Sequence, residues 1–208
     1  MHILITRHGE SLYNVENRIG GDPPLSESGR AYARDLAKFC RKRQVPKIAY
    51  VSTKRRAIET IIGHDAIFSK CIYCPELDEI NAGICEGLTY KEVQDRYPEE
   101  FLLRKNDKLN YRYPKGESYI DLFRRVKPFV TKIVTEEKDV FVVCHRAITR
   151  ALLYHLTCIP VTSIADFDIP LHHVLYLDGN PGEMSLQIVD VRADPMFNSI
   201  PVGVRPGK

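Results

Sequence analysis

The segment Asp139-Val-Phe-Val-Val-Cys144 constrains the fold more than any other stretch of this chain. It is nearly continuous in apolar residues, and a strand that reads this way is buried on both faces, as strands of parallel sheets are. Such a strand needs helices above and below it. Upstream, Ser118-Tyr-Ile-Asp121 is a capping-box pattern ahead of a helix with Leu122, Val126, Phe129, Val130 and Ile133 on one side, and Pro128 is placed to bend it. Downstream, Ala147 to Leu156 reads as a second helix.

The same alternation of periods runs through the rest of the chain. His2 to Thr6 is a short apolar strand, and Ser26 to Arg43 is an amphipathic helix carrying Ala33, Leu36, Ala37 and Cys40 at helical spacing. Lys47 to Val51 is the next strand, with a helix from about Arg56. Thr89-Tyr-Lys-Glu92 opens a short helix that Pro98 closes. Val174 to Leu177 and Met184 to Val191 form a hairpin around Gly179-Asn-Pro-Gly182. Strands alternating with helices predict an α/β fold, a three-layer α/β/α sandwich with a mainly parallel central sheet. At 208 residues the chain supports one core. Residues 1–191 are expected to form a single domain, with 192–208, rich in proline, glycine and basic residues, as a loosely held tail.

Composition excludes several classes. A net charge of +3 is too small to imply nucleic-acid binding, and the basic residues lack an interleaved aromatic pattern. No apolar run approaches the length of a membrane span. Met1 leads straight into a strand without a basic region or a signal-peptide core, so a cytoplasmic location is expected. Cys71-Ile-Tyr-Cys74 has a metal-like spacing, but no second pair matches it. On a strand, positions three apart point to opposite faces, so the six cysteines are read as reduced residues in or near the core.

Ligands of open parallel sheets bind beyond the carboxyl ends of the strands. Two histidines sit at such ends: His8, just past the first strand, and His145, directly after Cys144. Arg7 precedes the first, Arg146 follows the second, and Arg56 opens a helix after another strand. A lone histidine reads as a surface or hydrogen-bonded core residue, and two at equivalent strand ends beside arginines weaken that reading. A metal site needs carboxylates or thiolates, and guanidiniums repel a cation. An anion fits better, because guanidiniums bind phosphate bidentately. Nearby positive charge also disfavours imidazolium and keeps a histidine neutral and nucleophilic. Neutral histidine within a cationic clamp suits phosphoryl transfer, which asks mainly for positioning and charge stabilisation. Glu79 lies in a loop and is a candidate proton donor, but its residue type and position alone do not single it out among 27 acidic residues.

Thr6-Arg-His-Gly-Glu-Ser11 resembles the signature of the histidine phosphatase (phosphoglycerate mutase-like) superfamily. Asn14, Arg18-Ile-Gly-Gly-Asp22, Leu25-Ser-Glu-Ser-Gly29, Leu77 to Glu86, Thr89-Tyr90, Tyr111-Arg-Tyr-Pro-Lys-Gly-Glu-Ser-Tyr119 and Ile169-Pro-Leu-His172 resemble its fructose-2,6-bisphosphatase branch. The resemblance covers roughly residues 3–178. It implies a phosphoglycerate mutase-like fold with His8 as the phosphoryl-accepting nucleophile, and with Arg7, Arg56, His145 and Asn14 around the transferring group. It further implies that Glu79 protonates the leaving oxygen and then activates water, and that Ile19 and Gly20 lie against the sugar. Tyr90, Arg104, Lys108, Tyr119 and Arg150 would hold the rest of the substrate, including its second phosphate. Arg104, Lys108 and Arg112 read as a cationic segment matched to a bisphosphate of charge about −4.

Two departures stand out. The residue after the second histidine, usually glutamine in this branch, is Arg146, which contacts the distal phosphate or shifts the preferred substrate. No G-x-x-x-x-G-K-[ST] loop is present, so the chain reads as a free-standing phosphatase or an excised domain, with Met1 just before the first strand favouring the former. The expected activity is hydrolysis of fructose 2,6-bisphosphate, and the implied role is control of glycolysis and gluconeogenesis. The alternatives are a broader sugar-phosphate phosphatase and a non-catalytic module for a phosphorylated ligand. Neither a metal nor a cofactor is expected, nor a nucleic-acid or membrane partner. The chain is expected to act on a small phosphorylated sugar as a monomer or weak homo-oligomer.

Overall fold

The computed structural model describes residues 1–193 and the pair Ile200–Pro201. In chain order the elements are β1 (His2–Arg7), α1 (Leu12–Val15), α2 (Glu27–Arg43), β2 (Ile48–Val51), α3 (Arg55–Ile61), β3 (Lys70–Tyr73), α4 (Tyr90–Arg96), α5 (Pro98–Asn106), α6 (Tyr119–Thr135), β4 (Val140–Cys144), α7 (Arg146–Leu156), α8 (Val161–Ile164), β5 (His173–Asp178), β6 (Ser185–Asp190) and β7 (Ile200–Pro201). The sheet order is β3-β2-β4-β1-β5-β6-β7. β3, β2, β4 and β1 are mutually parallel. The expected β5–β6 hairpin pairs antiparallel with β1 through β5, so the parallel centre continues into an antiparallel edge.

Each face has its own core. Ile3, Ile5, Val140, Val142 and Cys144 pack with Leu122, Val126 and Ile133 of α6 and Ile148 and Leu152 of α7. Leu4, Phe141, Val143, Ala49 and Val51 pack with Tyr32, Leu36 and Cys40 of α2 and Ala57 and Ile61 of α3. Every residue of β4 is buried, which is why its sequence is apolar without alternation. Truncating one of the fully buried side chains, Leu152→Ala for example, is expected to cost about 2–5 kcal/mol.

The expected three-layer architecture is present, and the differences from the sequence reading are local. Pro98 ends α4 but also opens α5 at its first position, where a missing N–H costs nothing. α5 buries none of its residues, so it carries no apolar stripe to read. α6 is continuous past Pro128, whose ring sits on the exposed side of the helix. Cys158 is exposed rather than in the core. The tail assigned to 192–208 is anchored at two described points. Arg192 donates to the Ser28 carbonyl at 3.0 Å, and Ile200–Pro201 pairs with β6. The remainder of that tail lies outside the described residues.

Candidate active site

The register of the two central strands brings the two histidines and their arginines together. Arg7 pairs with Cys144 across the parallel β1–β4 ladder, and the His8 amide donates to the Cys144 carbonyl at 2.9 Å. His8 and His145 therefore leave adjacent strands at the same level, and their ring centroids lie 5.0 Å apart. β2 ends one strand away, and the turn after it delivers Arg56 from the first turn of α3. His8, Arg7, Arg56 and His145 are all buried.

The hydrogen bonds of His8 fix its tautomer. Nδ1 lies 2.7 Å from the Gly9 carbonyl, which can only accept, so the proton is on Nδ1 and the lone pair on Nε2. Arg56 Nε points at that lone pair from 3.1 Å, while its Nη1 donates to the Gly21 carbonyl at 2.8 Å. Burial, then the positive charges of Arg56 and Arg7, hold the His8 pKa well below the usual imidazole range. The ring is neutral at neutral pH and its Nε2 carries an unprotonated lone pair. Arg7 donates to the Ile169 carbonyl at 2.6 Å and keeps its Nε buried without a protein partner, a donor available to an anion. Its pKa is lowered to about 10, by burial first and then by Arg146, so it stays charged at neutral pH.

The loop after β1 is braced from behind. The Gly9 amide donates to Thr60 Oγ1, which donates to the Arg56 carbonyl, so the loop carrying His8 and the helix carrying Arg56 are tied together. His172 accepts from the Glu10 amide and stacks on Tyr32. The Ile169–His172 segment thus supports both Arg7 and the turn behind His8.

These groups open into a cleft of about 310 Å³. Glu79 lines it, in the loop before α4, with Oε1 accepting from the Ile80 amide at 3.0 Å. Asn14 lines it too; its Oδ1 accepts from Ser11, which leaves its NH₂ group as a donor. Ile19 and Gly20 form one wall. Gly20 has φ +64°, and a Cβ there would run into the Glu86 carboxylate, which accepts from the amides of Gly21 and Ala82.

The far end of the cleft is cationic. Arg104 donates to the Tyr113 hydroxyl at 2.6 Å and the Tyr90 hydroxyl at 3.2 Å, and lies over the Tyr90 ring. Arg150 donates to the Tyr119 hydroxyl at 2.8 Å and the Phe167 carbonyl at 2.7 Å. Neither guanidinium meets a carboxylate in these bonds. Lys108 pairs with Asp166 at 2.7 Å, and Arg146, an exposed residue, lines the cleft without a hydrogen bond or ion pair to another described residue. Of the expected cationic segment, Arg112 does not join: it pairs with Asp121 on the outer surface. The segment does not behave as one helix face, because α5 ends at Asn106 and the chain turns away.

Sequence reasoning missed Tyr111 and Tyr113, which line the cleft and, for Tyr113, hold Arg104. It also missed Ser52 and Asp78, which stand behind His145. Their positions after a strand and beside Glu79 were the only signal available.

Residues 3–191 match the histidine phosphatase superfamily, branch 1. The chain belongs to that superfamily. With the family comes the enzyme class: this is a histidine phosphatase. It is 44% identical over 176 residues, 84% of this chain and 37% of the relative, to a 6-phosphofructo-2-kinase/fructose-2,6-bisphosphatase of Gallus gallus. To the Arabidopsis thaliana protein of the same name it is 41% identical over 174 residues, 83% of this chain and 23% of the relative. The chain thus spans only a quarter to a third or so of the curated relatives it matches. Among solved structures, a mycobacterial glucosyl-3-phosphoglycerate phosphatase superposes with a TM-score of 0.78 at 26% identity, covering 91% of this chain and 98% of that one. The alpha-ribazole phosphatase of Shigella flexneri shares the fold, with a TM-score of 0.81 at 22% identity over 95% of this chain and 100% of that one. Among the described residues no helix is long and apolar enough to cross a membrane.

Proposed function

We propose that this phosphatase removes the 2-phosphate of fructose 2,6-bisphosphate through a phosphohistidine on His8, acting in the cytoplasm as a regulator of sugar metabolism. The carrying observation is one cleft with two separate cationic ends. Arg7 and Arg56 flank a neutral histidine nucleophile at the inner end, and Arg104, Lys108, Arg146 and Arg150 line the outer end. A sugar bearing one phosphate would leave one of these ends unmatched. The names of the 41–44% identical relatives point to the same substrate.

In this reading Arg56 swings from His8 Nε2 onto the incoming phosphoryl oxygens, which frees the lone pair to attack phosphorus in line. The P–O bond to the sugar breaks as the P–N bond forms, Glu79 gives its proton to the departing sugar oxygen, and the two guanidiniums offset the spreading negative charge. Glu79, now ionised, takes a proton from water as that water attacks the phosphohistidine, which releases phosphate and restores both residues. Asn14 adds a hydrogen bond at the inner end, and Ile19 and Gly20 bound the sugar. Tyr90 and Tyr119 hold Arg104 and Arg150 toward the second phosphate.

The test is incubation with substrate labelled at the 2-phosphate, followed by an alkaline quench and mapping of the label. Label on His8 and release of fructose 6-phosphate are expected, both abolished in His8→Ala. Turnover of other phosphomonoesters but not of this bisphosphate would leave the broader sugar-phosphate phosphatase.

A further inference from the structure

The two ring nitrogens of His145 are in opposite situations. Nε2 lies 2.7 Å from Ser52 Oγ, and Ser52 Oγ donates in turn to Asp78 Oδ1 at 2.7 Å. The single hydroxyl proton of Ser52 is committed to the carboxylate, so toward the ring the serine accepts, and Nε2 carries the imidazole proton. Nδ1 has no protein partner although it is buried, in a residue that is 0% exposed. Buried polar atoms are rarely left so.

The groups that face this ring are Arg7 at the end of β1 and His8 just past it, Arg56 and Lys54 from the head of α3, and the Ser52–Asp78 pair; Arg146 follows it in α7. Among the described residues Asp78 is the carboxylate joined to the ring through Ser52. It is also firmly placed, since it accepts from the Thr53 amide at 2.7 Å and the Thr53 hydroxyl at 2.6 Å. Burial, then the nearby cations, hold the His145 pKa well below its usual value, so the ring is neutral and Nδ1 presents a lone pair. A lone pair cannot donate to a phosphate oxygen.

We propose that Ser52 and Asp78 are positioning residues of the phosphoryl site: by keeping the His145 proton on Nε2 they leave Nδ1 to take up a proton from solvent when a phosphate dianion enters, and to donate it as a hydrogen bond. This rests on the phosphatase reading of the same site. One proton moves from buffer to Nδ1, and no other bond changes. The dianion supplies the charge that makes imidazolium favourable, and Asp78, acting through Ser52, stabilises it from the other side. A buried aspartate orients and supports imidazolium in the same way in the Ser-His-Asp triad.

The experiment uses inorganic phosphate as the probe at about pH 8.5, where it is mainly the dianion. Nitrogen-15 NMR reads the tautomer of each imidazole, and His145→Gln assigns the signals. Calorimetry in two buffers of different ionisation heat counts protons taken up per phosphate bound. Expected are an Nε2–H tautomer in the empty enzyme, imidazolium with phosphate bound, and uptake approaching one proton. Ser52→Ala should cut that uptake by half or more and weaken phosphate binding about tenfold, equivalent to about 1.4 kcal/mol. If Ser52→Ala does not fold, the wild-type NMR result decides alone. An Nδ1–H tautomer in the empty enzyme, or a neutral ring with phosphate bound, overturns this proposal and leaves the phosphatase reading standing. Failure of the wild type to bind phosphate overturns both.

Discussion

Arg125 in α6 does not line the cleft, yet replacing it is expected to slow phosphohistidine formation selectively for a substrate whose leaving group needs a proton. Its Nη1 donates to the carbonyls of Glu76 at 2.8 Å and Asp78 at 3.0 Å, and its Nε and Nη2 form a fork with Glu117 at 2.9 and 3.1 Å. Glu117 accepts from the Asn81 amide at 2.9 Å. The loop carrying Glu79 is therefore clamped on both sides of that residue by one guanidinium and its carboxylate partner. Arg125→Met keeps the aliphatic stem and removes the clamp. The carbonyls and Glu117 lose charge-assisted bonds in a partly exposed setting, so the stability loss should be modest, about 1–2 kcal/mol. The kinetic effect should be larger. General acid catalysis contributes about 10²–10⁴-fold, and misplacing a catalytic group by about 1 Å can cost about 100-fold. We expect kcat for fructose 2,6-bisphosphate to fall about 10–100-fold. With p-nitrophenyl phosphate, whose leaving group needs no proton, phosphohistidine formation should change less than threefold. Rapid-quench measurement of the phosphoenzyme with both substrates separates the two. Equal losses with both would mean that Arg125 supports the whole fold rather than the acid, and the reasoning would fail.

Three further outcomes follow from the same geometry. His8 and His145 have depressed pKa values in the fold and ordinary ones when unfolded, so stability is present above about pH 6.5 and declines as pH falls below it. The slope should be about 1.4 kcal/mol per pH unit for each histidine, read by denaturant titration in phosphate-free buffer; a flat profile from pH 6.5 down to 5 would contradict the assignment. Arg146→Gln should raise KM for the bisphosphate about tenfold with kcat within about threefold, because this residue sits at the cleft wall and is not bonded to the nucleophile. Gly20→Ala should lower stability by about 1–2 kcal/mol in thermal unfolding and raise KM, since both the left-handed backbone and the Glu86 carboxylate oppose a Cβ.

What could be read from the sequence was what regular structure positions. The apolar run before Cys144 and the strand before Arg7 announce a parallel pair, and strand ends are where ligands bind, so His8, His145 and their arginines could be named together. The distal end was legible only through family likeness, because Tyr90, Arg104, Lys108 and Tyr119 come from two short helices, a turn and the first position of α6, with no shared period. α5 gave no apolar stripe, and Arg112 shares its charge with Arg104 while facing Asp121 instead. Charge alone cannot say which way a side chain turns out of an irregular segment. The Asp78–Ser52–His145 path was invisible for a related reason: three residues far apart in sequence meet only after β2 and β4 pair.

This division has a chemical consequence. The inner end is tied to sheet register, so moving His8 relative to His145 requires shifting β1 against β4, and a one-residue slip would turn every core side chain of β1 to the wrong face. The outer end is held by tyrosine hydroxyls, a backbone carbonyl and one partly exposed ion pair; Tyr113 and Tyr119 are buried in the core, whereas the exposed Tyr90 and the Lys108–Asp166 pair can be exchanged without touching it. Arg146 sits where the two ends meet: it belongs to α7, whose start is fixed by β4, yet its side chain lies in the cleft and its charge reaches Arg7. A glutamine there would contact substrate and leave Arg7 undisturbed, whereas arginine makes the inner end more cationic as well. Arg146→Gln should therefore act first on substrate affinity, with the charge that reaches Arg7 shifting kcat by no more than about threefold, whereas changes at Arg104 or Lys108, whose charges are not among those felt by Arg7, should leave kcat unmoved.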